Sequence, residues 1–316
     1  MMRSLVVGGN GFLGSRLVER LAASGDQVTV FDRFSSVGTG FTPADNIAVV
    51  TGHFGSSDEL ALAVHGHDRV FHFLSTTTPA SALNETYTEL ATNVIPTLAL
   101  LDACVAAGVR DFYFPSSGGT VYGDTPDAMH SETDALQPVS PYGIGKMTIE
   151  NYLRYFHRQF GLNSVVLRIA NVYGPGRFRD RGQGLIPIAL RRILEGQSVV
   201  QYGDGTMVRD YIYIDDLIDM VMQIANGSPA HRVYNLGSGE GRSVRDVIDR
   251  ISHVTERAID LRVDAAPTPR VHRAVLDTTR FTDEFGARRL TDLDTGIRAT
   301  WTELLRTSLK SPHSAG

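Results

Sequence analysis

The chain of 316 residues contains one cysteine and one tryptophan. A single thiol excludes a disulfide framework, a paired-cysteine redox centre and a CxxC metal site. Cys104, set in the apolar LALLDACVAAGV, reads as a small core residue. Positive charge is not in excess: 30 Lys and Arg against 35 Asp and Glu leave a net charge of -5, with the two signs interleaved. No basic stripe is offered to nucleic acid, so an anionic ligand has to be gripped by a few local arginines. No run of about 18 apolar residues stands out as a membrane span. MMRSLVV enters a short strand directly, without a signal peptide's charged start, long apolar region and cleavage site. These absences lead to the expectation of a cytoplasmic protein with no nucleic-acid, membrane or metal partner.

What is present is a rhythm. Short apolar runs at 4–7, 27–31, 46–50, 69–73, 111–115 and 164–169 alternate with helix-length amphipathic segments. That is the βαβ pattern of a parallel sheet covered on both faces. Leu13, Leu17 and Leu21 share one face of the first helix, and Ser-Ser-Asp-Glu at 56–59 is a capping-box start. Two longer helices are expected over about 87–107 and 141–160, the first kinked by Pro96. The expected fold class is α/β, a Rossmann doubly wound parallel sheet with a smaller, discontinuous C-terminal substrate lobe. Residues 1–174 form the nucleotide-binding domain. Residues 210–236, read as a strand, an Asp-capped helix and a further strand, are expected to return to it, leaving 175–209 and 237–316 for the lobe.

The stretch GGNGFLG at 8–14 follows the first strand and opens the first helix. Gly8 permits a tight turn, Gly11 lets a pyrophosphate approach bare backbone, and Gly14 allows helix to pack closely on sheet. Asp32, at the end of the second strand, stands where an acidic residue binds a ribose hydroxyl and repels a 2'-phosphate. NAD is therefore favoured over NADP. The neighbouring Arg33 complicates this, because it can accept that phosphate, stack over adenine or remain solvated.

The second chemical cluster spans FPSSGGTVYGD at 114–124 and SPYGIGK at 140–146. Lys146 lies one helical turn beyond Tyr142 on the same face. A phenol titrates near pH 10, and an adjacent ammonium together with an oxidised nicotinamide favours its phenolate, a general base.

With these motifs in order, the chain resembles the extended short-chain dehydrogenase/reductase family, in the NAD-dependent nucleotide-sugar epimerase/dehydratase group typified by UDP-glucose 4-epimerase. The resemblance covers nearly all of 4–240. It rests on GGNGFLG, Asp32, FHF at 71–73, TNV at 92–94, SSGGTVYGD, Tyr142 with Lys146, LRIANVYGPG at 167–176 and YGDGTMVRDYIYIDD at 202–216. It implies NAD in the N-terminal sheet, a nucleotide sugar in the cleft below the lobe, and a homodimer built from the two long helices. By position, Gly8, Gly11, Phe12, Leu13, Gly14 and Asp32 hold adenosine and pyrophosphate. Leu74, Ser75, Thr77 and Asn93 line the cofactor's path, and Ser116 lies below the nicotinamide. Tyr142 is the base, and Lys146 is its electrostatic partner and a ribose ligand. Asn171 and Arg209 grip the diphosphate, unless Arg209 only pairs with a nearby Asp.

Departures from the pattern matter as much. The acidic adenine neighbour after the third strand is replaced by GHF, so His53 stands there and Phe54 contributes only backbone. The position of the family's catalytic Ser/Thr, three residues before Val121, is Gly118. Thr120, with Ser117 as second choice, is then the candidate to hydrogen-bond the sugar hydroxyl; otherwise both satisfy turn backbone. Dehydratases and uronate decarboxylases of the family carry carboxylates just before the Val-Tyr-Gly, where this chain has Gly119 and Thr120. Pro267 and Arg270 replace the family's late phosphate-gripping Arg and its Asp, so that either Arg270 or Arg273 compensates or the nucleotide is held differently. Ala274 falls where a bulky residue excludes N-acetyl groups. The implied activity is a nucleotide-sugar 4-epimerase acting on a UDP-sugar. A 4-ketoreductase and a non-catalytic cofactor-binding relative remain the alternatives.

Overall fold

The computed structural model describes residues 1–34, 39–83, 86–124, 129–176, 184–265 and 271–310. Their strands are β1 (Arg3–Val7), β2 (Gln27–Asp32), β3 (Ile47–Thr51), β4 (Arg69–His72), β5 (Asp111–Ser117), β6 (Asn163–Ile169), β7 (Asn171–Tyr173), β8 (Val199–Tyr202), β9 (Val208–Tyr213), β10 (Val233–Leu236), β11 (Gly241–Ser243), β12 (Leu261–Asp264) and β13 (Arg273–Ala274). The helices are α1 (Phe12–Ala23), α2 (Ser57–Val64), α3 (Thr86–Glu89), α4 (Ile95–Ala106), α5 (Pro141–Phe160), α6 (Leu185–Leu194), α7 (Ile214–Asn226), α8 (Val244–Thr255), α9 (Thr279–Phe285) and α10 (Leu293–Lys310).

Seven parallel strands form the main sheet in the order β10-β6-β5-β4-β1-β2-β3. Strand order reverses between β1 and β4, and that opens a crevice at their carboxyl ends, the place where doubly wound sheets bind ligands. The two faces are covered by separate apolar layers. Leu17, Val18 and Leu21 of α1 pack with Leu217, Ile218 and Val221 of α7 on one side. Leu60, Leu100, Leu101 and Cys104 pack with Ile149, Leu153 and Phe156 of α5 on the other. Burial holds the Cys104 thiol well above its usual range, as befits a core residue.

A third core, built on Ile186, Leu190, Val247, Ile251 and Ile297, belongs to the C-terminal region. Here one sequence expectation needs correction. β10 joins the main sheet beside β6, but β9 does not return to it: β9 pairs with β7, β11 and β13 in a small separate sheet. The single residue Ala170 between β6 and β7 leads the chain out of the main sheet, and β9 follows β7 there. The helix after β9 is also not capped by Asp. Tyr213 is its N-cap without a side-chain bond, while Asp215 and Asp216 lie in the first turn, where they complement the helix dipole.

The helix expected near 87–107 is continuous from Thr86 to Ala106 but carries a π-turn at Leu90–Val94. Pro96 has no N–H to donate to the carbonyl four residues back, so the ladder is already broken where the wider turn occurs. Contrary to the expectation from composition, this helix is long and apolar enough to cross a membrane, although 44% of its most apolar window is buried inside the protein. The Ser-Ser-Asp-Glu start closes only one half of its box. Ser56 accepts from Glu59 N at 3.4 Å, while Glu59 Oε2 takes the His53 amide at 2.6 Å. α5 ends as its sequence suggests, between Ser140, which accepts from Gly143 N, and Gly161 at φ 73°.

Candidate active site

The first wall of the crevice is the β1–α1 turn. Gly8 has φ 85°, and any Cβ there would stand 2.5 Å from Leu74 N, so the end of β4 touches the turn backbone directly. A Cβ on Gly14 would run into the Gly8 carbonyl and the Gly9 backbone. Gly11 is exposed and is the N-cap of α1, which leaves the amides of the first turn facing the crevice. Phe12 and Leu13 anchor this turn in the core beneath. Asp32 accepts from Asn10 N at 2.9 Å and from Arg33 N at 2.7 Å; Arg33 itself is exposed. The cradle fits a dinucleotide: bare backbone and a helix N-terminus for the pyrophosphate, and a carboxylate at the end of β2 for a ribose.

The other expected cofactor residues separate into two kinds. His53 is exposed, and its ring accepts from Gly55 N at 3.1 Å, whereas the Phe54 side chain is in the core, 5.0 Å from the His72 ring. Ser75 donates to the Thr77 carbonyl at 2.9 Å. Thr77 and Asn93 are tied to each other and to a residue the sequence reading missed, Glu89. Thr77 Oγ1 donates to Glu89 Oε2, and Asn93 Nδ2 donates to Thr77 Oγ1 at 3.0 Å and to Glu89 Oε2 at 3.1 Å.

The second wall is formed by the end of β5 and the start of α5. Tyr142, Lys146 and Glu150 follow one another at successive turns of α5. Lys146 is 5% exposed and donates to the Pro115 carbonyl at 2.9 Å; its Nζ stands 4.6 Å from the centre of the Phe114 ring and 5.5 Å from that of Tyr142. Burial lowers the Lys146 ammonium to about 8, against the pull of the Glu89 and Glu150 carboxyls. Burial, and then Glu89, push the Tyr142 phenol above its usual range, so the fall expected from the sequence has to come from the oxidised nicotinamide together with the Lys146 ammonium. Ser116 donates to Glu150 Oε1 at 2.5 Å, and Glu150 pairs with Arg168 at 2.8 Å. Arg168 in turn donates to the Tyr122 hydroxyl at 2.9 Å, so a buried polar network fixes the floor below Lys146.

At the β5 turn, Leu276 fills the space a side chain at 118 would need: a Cβ on Gly118 would lie 2.6 Å from Leu276 Cδ1. The missing hydroxyl is thus excluded by a neighbour. Ser117 is half-buried, and its carbonyl accepts the amides of Thr120 and Val121, both at 3.1 Å. Thr120 lies against the first turn of α5, where a Cβ on Gly143 would stand 2.7 Å from its carbonyl oxygen. The Thr120 hydroxyl is buried and has no partner among the described residues.

A cavity of about 180 Å³ is lined by Asn171, Tyr173, Leu185, Pro187, Arg209 and Tyr211, and Asn171 Nδ2 is the atom a Cβ on Gly119 would meet, at 3.9 Å. Asn171 Nδ2 donates to the Asp210 carbonyl at 3.1 Å. Arg209 lines the cavity, but its guanidinium donates to the carbonyls of Val208, Val271 and His272 at 2.8, 2.6 and 3.1 Å. Arg273 lies in β13 beside β9, its Nε buried and unpartnered among the described residues. Arg270 and Pro267 lie outside the described residues.

The sequence model of the NAD dependent epimerase/dehydratase family matches residues 4–237. The chain belongs to that family. NAD is the cofactor that the cradle at Gly8–Gly14 and Asp32 would hold. Among relatives, the chain is 30% identical over 312 residues to UDP-glucose 4-epimerase of Mycolicibacterium smegmatis, covering 95% of this chain and 97% of the relative. It is 31% identical over 313 residues to dTDP-glucose 4,6-dehydratase of Streptomyces antibioticus, covering 95% and 91%. Its structure is similar to that of UDP-glucose 4-epimerase with UDP-glucose from Thermotoga maritima, with a TM-score of 0.90 and 32% identity over 97% of this chain and 100% of the other. The chain is therefore of a nucleotide-sugar epimerase/dehydratase kind, with the parallel-sheet fold of short-chain dehydrogenases.

Proposed function

We propose that the protein is a nucleotide-sugar 4-epimerase that inverts C4 of a UDP-hexose, with N-acetylhexosamines and uronic acids among its candidate substrates. The observation that carries this reading is the unpartnered Thr120 hydroxyl beside the Tyr142 turn, at a strand end where Gly118, Gly119 and Thr120 supply no carboxylate. Elimination of water needs an acid and a base at a second carbon. Removal of one hydroxyl proton needs a base and a hydrogen-bonding neighbour, and Tyr142 and Thr120 supply those.

In this mechanism Tyr142 takes the proton of the C4 hydroxyl and later returns it, while Thr120 bonds the same oxygen and orients it. Ser117 is the second choice for that bond. Lys146, held by the Pro115 carbonyl, offers its remaining donors to the cofactor's ribose and its charge to the phenolate. NAD, held by the Gly8–Gly14 turn and Asp32, would supply the hydride acceptor and donor for C4. The 4-keto sugar turns between the two half-reactions, held by its diphosphate to Asn171 and Arg209, with Arg273 compensating for the lost arginine, and by its nucleotide in the cavity that Arg209 and Tyr211 line, against the lobe to which β7 and β9 belong.

A 4-ketoreductase would use the same residues, and the chain is 28% identical over 306 residues to dTDP-4-dehydro-6-deoxyglucose reductase of Escherichia coli. One assay separates the readings. Protein purified without added cofactor is incubated with UDP- and dTDP-hexoses, N-acetylhexosamines and uronic acids, and C4 epimers are resolved by NMR. Interconversion of one pair is expected. Consumption of a 4-keto sugar only when NADH or NADPH is added would replace the epimerase by the reductase, and silence in both arms would remove catalysis on these sugars. A homodimer is part of this proposal. Tyr87, Leu90 and Ile95 on one long helix and Ile144, Tyr152 and Tyr155 on the other are exposed apolar residues that a second copy would cover.

A further inference from the structure

Glu89 is a carboxyl where a long apolar helix would be expected to carry none. It is 2% exposed, and its Oε1 has no hydrogen-bond partner among the described residues. Its other oxygen is fixed twice, by Thr77 Oγ1 from the segment after β4 and by Asn93 Nδ2 one turn further along its own helix. Asn93 is itself pinned, accepting Thr76 N at 2.9 Å. The free oxygen is pressed against α5: a Cβ on Gly145 would stand 2.6 Å from it. Gly145 is flanked by Lys146 and lies three residues beyond Tyr142. A buried, half-satisfied carboxyl is costly unless it has a task, and such groups gather at functional sites.

We propose that Glu89 is a positioning residue of the Tyr142–Lys146 pair, a fixed negative charge that sets the pH at which Tyr142 gives up its proton. The inference rests on the assignment of Tyr142 as base and deepens it. A phenol facing one ammonium and one oxidised nicotinamide is drawn towards its anion by two positive charges. A phenolate stabilised too far is a weak base, since proton transfer is most efficient when donor and acceptor are matched. A carboxylate in the same buried site restores part of the phenol's basicity. The charged groups around it are few. Tyr142 and Lys146 face it from α5, Glu150 balances Lys146 from the next turn, and Thr77 and Asn93 are neutral. Burial raises the Glu89 carboxyl above its usual range, while the Thr77 bond, the Lys146 ammonium and the Asn93 bond draw it back towards the anion that the phenol meets at the higher pH of its own titration. His72 of β4 feels the same ammonium, but burial, with Lys146 adding, lowers it to about 3, and it stays uncharged.

The test reads the phenol directly, with no sugar present. Protein loaded with NAD is titrated by ultraviolet difference absorbance of tyrosinate, and the step that vanishes in Tyr142→Phe is assigned to Tyr142. Glu89→Gln keeps an oxygen to accept from Thr77 and Asn93 and removes the charge. Its Tyr142 step is expected about one pH unit lower than in the unaltered protein, in line with the usual effect of one nearby charge. Glu89→Asp keeps the charge and is expected to titrate close to the unaltered protein. A Tyr142 step at the same pH in Glu89→Gln, or an equal displacement in Glu89→Asp, overturns this inference and leaves the base assignment standing. If no step disappears in Tyr142→Phe, the base assignment fails and Glu89 loses its role with it.

Discussion

Two glycine-rich turns close two strands of the same sheet, and their glycines answer to different neighbours. At Gly8–Gly14 the atoms that forbid a side chain are backbone: the Leu74 amide over Gly8, and the Gly8 carbonyl over Gly14. At Gly118–Thr120 the obstruction is a side chain, Leu276, and at Gly119 there is almost none. The first turn is therefore bound to the fold itself, and a ligand that reads its backbone does not depend on which side chains surround it. The second can change residue by residue as its neighbours change, which is where differences in chemistry can be accommodated.

The largest effect should come from breaking the first turn. Gly14→Ala forces its methyl into the Gly8 carbonyl, which cannot move without displacing Leu74. Overpacking of this kind costs about 3 kcal/mol. If the turn opens to relieve it, NAD affinity should fall on the order of a hundredfold, at about 1.4 kcal/mol per decade. Calorimetric titration with NAD together with a melting curve checks this. Unchanged affinity and Tm would mean the two turns are equally forgiving.

Next in size is Thr120→Val, which keeps the shape of the second turn and removes only the unpartnered hydroxyl. Turnover should drop about a hundredfold if that hydroxyl bonds the reacting oxygen, with melting unchanged, and Thr120→Ser should restore most of it. Wild-type turnover in the valine variant would make the second turn structural as well.

The same contrast explains what the sequence discloses. The first turn was legible because its glycines, its strand and its helix are contiguous, and Asp32 closes the same βαβ unit. α5 was legible for the same reason, with Ser140 before it and Gly161 after it. The small sheet was not. β7, β11 and β13 are two or three residues long, and their common partner β9 is distant from each in sequence. Glu89 was hidden because a lone carboxylate on a helix normally reads as its solvated face. The trace it left was Asn93, four residues on, the spacing at which two helical side chains meet. Leu276 left no trace at all, since only tertiary packing brings it over Gly118.

That packing can be isolated. Gly118→Ser restores the hydroxyl expected in this family but presses on Leu276, and Leu276→Ala opens a cavity among Val121 and Tyr122. Each should destabilise alone, by about 1–3 and 2–5 kcal/mol respectively. Together they should cost less than the sum by about 1–2 kcal/mol, because the new side chain occupies the space the leucine leaves. Additive losses in a urea-melt cycle would show that Gly118 is required by its own backbone and not by Leu276.

The smallest effect is expected one residue later, and it is the sharpest discriminator between the two turns. Gly119 has no positive φ, and a Cβ added there would find only Asn171 Nδ2, at 3.9 Å, an ordinary van der Waals distance. Gly119→Ala should therefore change stability by less than about 0.5 kcal/mol, or raise it slightly through the lost freedom of the unfolded chain. Asn171 need not move, so substrate KM should also stay within about twofold, less than a 0.5 kcal/mol change. A large loss at so open a position would require that the space above Gly119 be filled during turnover. The sugar would then have to lie against the backbone of the second turn as closely as the pyrophosphate is expected to lie against the first.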